Sequence, residues 1–345
     1  MRAPALLGAI ALAAAPAALP RDAAAAQVER ARYLMGTVCT AVAEGGDTTA
    51  AGAAIAAAFD EIARLEGVMS SWRQDSELSR MNAAAAEAPF RCSPDLFAAV
   101  AAALAAAEET GGAFDPTIEP LDRAWDMRGP GRLPAEAEIA AAVARVGWRE
   151  VALAPGDAAV RFAGPGMGLD LGGIGKGLAL DRAAEILASH GVARALLNFG
   201  GETLALSTGA PWTITVAHPV DRLRPVIGFT VRAAAVSTSA QSERGIEVRG
   251  RHYGHILDPR TGRPLERSAS ATVVAVNATR ADALSTALLV IGREDARRFA
   301  AQHPDLGVLW LEPAGRAVHA WRWNLADAAA LPGAAVRWMD PTPNP

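Results

Sequence analysis

Asp170-Leu-Gly-Gly-Ile-Gly-Lys-Gly-Leu-Ala-Leu-Asp181 stands near the middle of the chain and separates two differently patterned halves. Its approach, Gly168-Leu-Asp-Leu, reads as a strand feeding a loop with glycines at 172, 173, 175 and 177. A helix follows, with Leu178, Ala183, Ile186 and Leu187 as its apolar stripe and His190-Gly191 at its end. Such an arrangement gathers unpaired backbone N–H groups around an anion site, and glycine admits a ligand that a Cβ would block. Lys176 adds a positive charge there. The loop is not a Walker A sequence, because Asp170 stands where the first glycine belongs and Gly177 where Ser or Thr belongs. It is not a dinucleotide fingerprint either, since Leu178 replaces the third glycine. A tight strand-to-helix turn carrying a surface lysine accounts for the local pattern equally well.

Upstream, residues 27–44 read as a strand broken at Met35-Gly36-Thr37. Ile55, Phe59, Ile62 and Leu65 recur at helical spacing within 48–68. Ser76–Asn82 reads as a short turn-helix. Ser93 or Asp95 can cap a helix over 95–110 that ends at Gly111-Gly112. Phe114-Asp115-Pro116-Thr117 reads as an extended entry to a loop holding Trp125 and Gly129. A third helix is expected over 134–146, then strands at 150–154 and 158–162. Downstream, strands are expected at 193–199, 212–217, 226–232, 245–249, 271–277, 306–311 and 317–321, and helices at 280–291 and 294–302. The mixture is α+β or α/β, without repeats.

Composition sets outer limits. The 345 residues, 51% hydrophobic and 20% charged, suffice for one large domain or two intimately packed ones. A net charge of -4 gives no sign of a general nucleic-acid binder. Residues 1–26 read as a cleaved signal peptide: Arg2, an uncharged run from Ala3 to Pro20, and small residues at Ala23–Ala26. A membrane anchor is the competing reading, set against by Pro4, Pro16 and Pro20. With no cysteine near the cleavage point, the expected product is a soluble periplasmic protein, not a lipoprotein and without stable membrane insertion. Cys39 and Cys92 could pair in an oxidising compartment, but two small buried hydrophobes is the preferred reading.

Three further segments carry chemistry. In Thr279-Arg-Ala-Asp282-Ala-Leu-Ser285-Thr286, positions i, i+3 and i+4 share a helical face, so one carboxylate and two hydroxyls converge. Hard oxygens of this kind suit Mg²⁺, which keeps few protein ligands. A capping box, with Thr279 at the N-cap and Asp282 at N3, explains the same spacing. His255-Ile-Leu-Asp258-Pro-Arg-Thr-Gly262 places a histidine before a turn, as a general base, a phosphate partner or a structural residue. Trp72 could stack on a planar ring or pack as an edge aromatic, and Asp115 before Pro116 could be a turn former.

Taken in order, these blocks form a series. It comprises Met35-Gly-Thr, Ser71 to Asn82 with Asp75-Ser-Glu-Leu-Ser79 within it, Phe114-Asp-Pro-Thr, and the glycine-lysine block. It continues with Asn198-Phe-Gly-Gly-Glu202, Val236-Ser-Thr-Ser239, His255-Ile-Leu-Asp-Pro-x-Thr-Gly-x-Pro264 and Ala281-Asp-Ala-Leu-Ser-Thr-Ala287. The series resembles the ApbE family, the FAD:protein FMN transferases, from about Tyr33 to the C-terminal strands.

The resemblance implies an α+β fold of mixed sheets with packed helices, T-fold-like in architecture, in a single domain over 27–345 or two intimately packed subdomains. It implies a Mg²⁺-dependent enzyme that splits FAD, releases AMP and attaches FMN to a Ser or Thr of a periplasmic or membrane redox protein. By the family pattern, Gly173 through its carbonyl, Asp282, Ser285 and Thr286 hold the metal, although Ser285 stands where many relatives carry aspartate. Met35, Trp72, Ala113, Phe114, Asp115, Asp170, Lys176 and Ile256 contact FAD. His255 activates the acceptor hydroxyl, and Asp282 is catalytic through the metal. Ala240 follows Val236-Ser-Thr-Ser239 where relatives usually have glycine. An FAD hydrolase giving FMN and AMP is an alternative, and a non-catalytic periplasmic flavin carrier is an alternative of another class.

Overall fold

A computed structural model describes residues 26–242 and 244–339. The export segment expected at 1–26 therefore lies outside the described residues, apart from Ala26. Strands β1 (Gln27–Leu34) and β2 (Thr37–Glu44) form an antiparallel hairpin. Its turn, at the expected break, holds Met35 and Gly36 at φ of 45° and 77°. Helix α1 (Thr48–Met69) is capped by Asp47, whose carboxylate accepts from the Thr49 N–H, and it buries Ile55, Phe59, Ile62 and Leu65 on one face. Ser76 caps α2 (Glu77–Ala84). After β3 (Phe90–Arg91), Ser93 rather than Asp95 caps α3 (Pro94–Glu109), with Pro94 in the first turn.

The segment expected to be a loop around Trp125 contains a helix, α4 (Glu119–Trp125). Pro120 lies in its first turn, where a missing N–H costs nothing, and the Trp125 indole N–H donates to the Gly262 carbonyl at 2.8 Å. Helix α5 (Glu136–Val143) and strands β4 (Val151–Ala154) and β5 (Ala159–Phe162) follow. A second correction concerns residues 168–171, which belong to no sheet. Their backbone is satisfied instead by the Asn82 side chain, which accepts from Leu169 N–H and donates to Leu169 C=O, both at 2.8 Å, and by Pro116, whose carbonyl accepts from Asp170 N–H.

Helix α6 (Gly175–Ser189) buries Ala179, Leu180, Ala183, Ala184 and Leu187, so Leu178 and Ile186 only flank its stripe. Strands β6 (Arg194–Phe199), β7 (Glu202–Ser207), β8 (Trp212–His218), β9 (Asp221–Val231) and β10 (Ala234–Ala240) run in succession. Short strands β11 (Gly245–Val248), β12 (Arg251–Gly254), β13 (Leu257–Asp258) and β14 (Arg263–Pro264) lead to β15 (Ser270–Ala275). Helices α7 (Ala278–Ile291) and α8 (Arg293–Gln302) precede β16 (Gly307–Ala314), β17 (Ala317–Trp323), β18 (Ala329–Ala330) and β19 (Val336–Trp338).

Nine strands form one sheet in the order β1-β2-β6-β7-β10-β15-β16-β17-β19. Every pair in it is antiparallel except β17–β19, which makes the fold α+β with a mixed sheet. Both faces are covered, because alternate residues of a strand point oppositely. In β16, Val308 and Trp310 join the core beneath the helices, whereas Leu309 and Leu311 pack on the other side against Trp212, Ile214 and Phe229 of the β8–β9 hairpin. A smaller apolar cluster joins Leu121 and Trp125 of α4, Ile139 of α5, Ile246 and Leu257. Helix α7 is buried on nearly every side, with Ala281, Leu284, Leu288 and Leu289 fully enclosed. That burial places Asp282 and Ser285 inside the molecule and leaves Thr286 half-buried.

Candidate active site

A cleft of about 490 Å³ opens where the glycine loop, the first turns of α7 and the end of β10 meet the segments around Trp72 and Phe114. Trp72, Ala113, Phe114, Asp115, Asp170, Gly173, Lys176, His255, Ile256, Asp282 and Thr286 all line it. Two expected site residues do not, namely Met35 and Ser285.

The crossing of α6 and α7 fixes the floor. A Cβ on Gly177 would stand 2.3 Å from the Ala278 carbonyl oxygen, so only glycine permits the approach. The Gly177 N–H donates to Asp282 Oδ2 at 3.0 Å. Asp282 therefore does not act as the N3 member of a capping box. Asn277 is the N-cap of α7, accepting from Arg280 N–H, and Asp181 of α6 accepts from the Ala278 and Thr279 N–H groups and the Thr279 hydroxyl. Burial pushes the Asp282 carboxyl above its ordinary range, opposed by the Lys176 charge and the Gly177 N–H. Lys176 pairs with Glu202 of β7 at 2.6 Å, and both face the cleft.

Ser285 is placed differently from the expectation. Its hydroxyl donates to the Asp282 carbonyl at 3.0 Å and lies 3.0 Å and 2.8 Å from the Ser237 and Ser239 hydroxyls of β10. One donor and two acceptor positions exhaust a hydroxyl, so Ser285 ties α7 to the sheet and presents no ligand to the cleft. Asp282, Thr286 and the Gly173 backbone remain as hard oxygen donors. A Cβ on Gly173 would lie 3.2 Å from the Phe114 ring and 3.4 Å from Thr286 Oγ1, so glycine keeps the space between loop and helix open. No three His, Cys, Asp or Glu side chains form a metal-ligating group among the described residues. A cation here would rest on one carboxylate, neutral oxygens and water, a set that fits Mg²⁺.

His255 is half-buried, and burial lowers its pKa from 6.5 to about 4 despite the hydrogen bond to Arg244. Its Nδ1 lies 3.2 Å from the Arg244 carbonyl, which can only accept. The proton is therefore assigned to Nδ1, and the Nε2 lone pair is left as a base at neutral pH.

On the opposite wall Arg128, which no sequence motif marks, gathers three carboxylates: Asp170 at 2.5 Å, Asp122 at 3.1 Å and Glu119 at 3.8 Å. Burial alone would raise Asp170, but Arg128, Ser71 and the Gly172 N–H hold it below its ordinary range. Burial and the adjacent Asp170 charge push Asp122 well up, which favours its protonated form. Asp115 accepts from Thr117 N–H and hydroxyl and from Trp148 N–H, so its carboxylate secures the wall it borders. Trp72 is 61% exposed at the rim, with its ring accessible to a planar ligand. Met35 is outside the lining, although Arg244 of the cleft donates to the neighbouring Gly36 carbonyl at 3.1 Å.

The profile of the ApbE family matches residues 35–310. A FAD:protein FMN transferase of Treponema pallidum is 32% identical over 307 residues, covering 83% of this chain and 85% of its own. The crystal structure of the ApbE protein of Thermotoga maritima superposes with a TM-score of 0.76 at 30% identity, covering 83% of this chain and 94% of the other. The flavin transferase ApbE of Vibrio cholerae gives 0.74 at 29%, covering 87% and 97%. Since the match takes in both the glycine loop and α7, along with the sheet between them, the chain belongs to the ApbE family.

Proposed function

We propose that this enzyme transfers FMN from FAD to a Ser or Thr hydroxyl of a redox protein and releases AMP. The observation that carries the reading is the meeting of Trp72, Lys176, His255, Asp282 and Thr286, from separate parts of the chain, in one cleft. Trp72 offers a face to the isoalloxazine ring. Lys176 and the N–H groups at the start of α6 face the pyrophosphate. Neutral His255 takes the hydroxyl proton on Nε2 as the acceptor oxygen bonds to the FMN phosphorus and the bond to AMP breaks. Asp282, Thr286 and the Gly173 carbonyl would hold Mg²⁺, which supplies charge neutralisation on the pyrophosphate. The N-terminal pattern supports action in the periplasm, on an acceptor of that compartment or the adjoining membrane.

Incubation with FAD, Mg²⁺ and a candidate acceptor domain tests the proposal. AMP together with an FMN mass gain on the acceptor is expected. AMP alone would establish an FAD hydrolase, and neither product, with flavin still bound, a carrier. Asp282→Ala is expected to abolish both products; full activity in that variant would remove the metal site.

A further inference from the structure

Behind β10, on the face of the sheet away from α7, lies a second cavity of about 160 Å³, some five waters' worth of liquid volume. Its walls come from β6, β7, β8, β9, β10 and β15, with Pro219 and Ser242 from the adjoining turns. Two of its residues hold polar atoms without a hydrogen-bond partner among the described residues: His218, 5% exposed, at Nε2, and Ser270, 1% exposed, at Oγ. The tautomer at His218 follows from its other nitrogen. Val220 N–H donates to Nδ1 at 3.3 Å, so the neutral ring carries its proton on Nε2. A buried N–H donor and a buried hydroxyl thus line the same small, half-open pocket, and leaving either unpaired is costly.

Among the described residues the remaining lining carries one formal charge, and it is positive. Arg222 stands exposed among the lining residues, Thr203, Thr215 and Thr238 add hydroxyls, and no carboxylate appears among the described residues of the wall. Hydrogen-bond donors with a guanidinium beside them match an oxyanion. The cavity also adjoins the flavin cleft, since Thr238 lines both, and Gly201 borders one where Glu202 borders the other. We propose that this cavity is a binding site for a small oxyanion of carboxylate or phosphate size, held by His218 Nε2–H, the Ser270 hydroxyl and Arg222.

The test is an NMR titration of the full chain, following the imidazole nitrogens, with His218 assigned through His218→Gln. Sodium acetate and sodium phosphate are the probes, and sodium chloride at matched ionic strength is the control. Expected is a saturable His218 shift with acetate or phosphate that chloride does not reproduce. Ser270→Ala and Arg222→Gln should each weaken it roughly tenfold, the scale of one lost charge-assisted hydrogen bond. Titration with a capped aspartyl tripeptide separates sources. A response to the peptide means the carboxylate can arrive on a polypeptide, and a response to the free anions alone means a diffusible ligand; both uphold the site. No saturable shift with any probe, or equal affinity in both variants with folding intact by circular dichroism, overturns it.

Discussion

Asp282 is a carboxylate 2% exposed on a helix enclosed by apolar neighbours, and burial resists its ionisation. A cation at this position competes with a proton, so the apparent Mg²⁺ affinity should weaken as pH falls through the raised pKa. Magnesium titrations of AMP release at several pH values check this; a pH-independent affinity would argue against Asp282 as the ligand. Asp282→Asn keeps an oxygen for the Gly177 N–H, so folding should survive while turnover drops by about 10²–10³-fold. His255 behaves oppositely. Its pKa falls from 6.5 to about 4, so at saturating Mg²⁺ kcat/KM should stay level as acid is added through pH 6 and decline only near 4. The sign for folding is also set: the unfolded chain takes up the His255 proton first, so this residue's contribution to stability is full above 6.5 and lost as pH falls toward 4. Ser285→Ala leaves Ser237 and Ser239 short of a partner. It should cost about 1–3 kcal/mol in urea unfolding and leave the Mg²⁺ requirement unchanged.

Helices α6 and α7 work as a pair. Asp181 of one caps the other, and Asp181→Ala should cost about 0.5–2 kcal/mol in chemical denaturation. Gly177→Ala drives a methyl against the Ala278 carbonyl and should cost about 1–3 kcal/mol, with activity falling in molecules that remain folded. Elements such as α1 and α3 could be read from the chain because one apolar stripe at helical spacing faces the core. Helix α4 escaped because it is seven residues long and carries Pro120. Strand β10 was visible as a motif but not as a strand, since its Ser237 and Ser239 hydroxyls point inward to α7 and invert the usual apolar-in pattern. The same logic divides the site. Lys176 and Asp282 belong to contiguous patterns. Arg128 gains meaning only when folding brings Glu119, Asp122 and Asp170 around it.

One core, the cluster beneath the helices, holds both of the chain's thiols. Cys39 and Cys92 are buried and unpaired, and burial pushes their pKa values to about 12 and about 11. Neither should react with a disulfide reagent at neutral pH in the native state, and both should react after denaturation. Thiol counting against urea concentration would then follow opening of the whole core, and a fast-reacting thiol in native protein would contradict this packing. The close contact of Gly177 with Ala278 has a bearing on protein engineering. Grafting the glycine-lysine loop onto another scaffold would carry over its sequence without its geometry, because the backbone that shapes it arrives a hundred residues later. The transferable unit is the helix pair, and a library built to retune the pocket should randomise positions on both helices together.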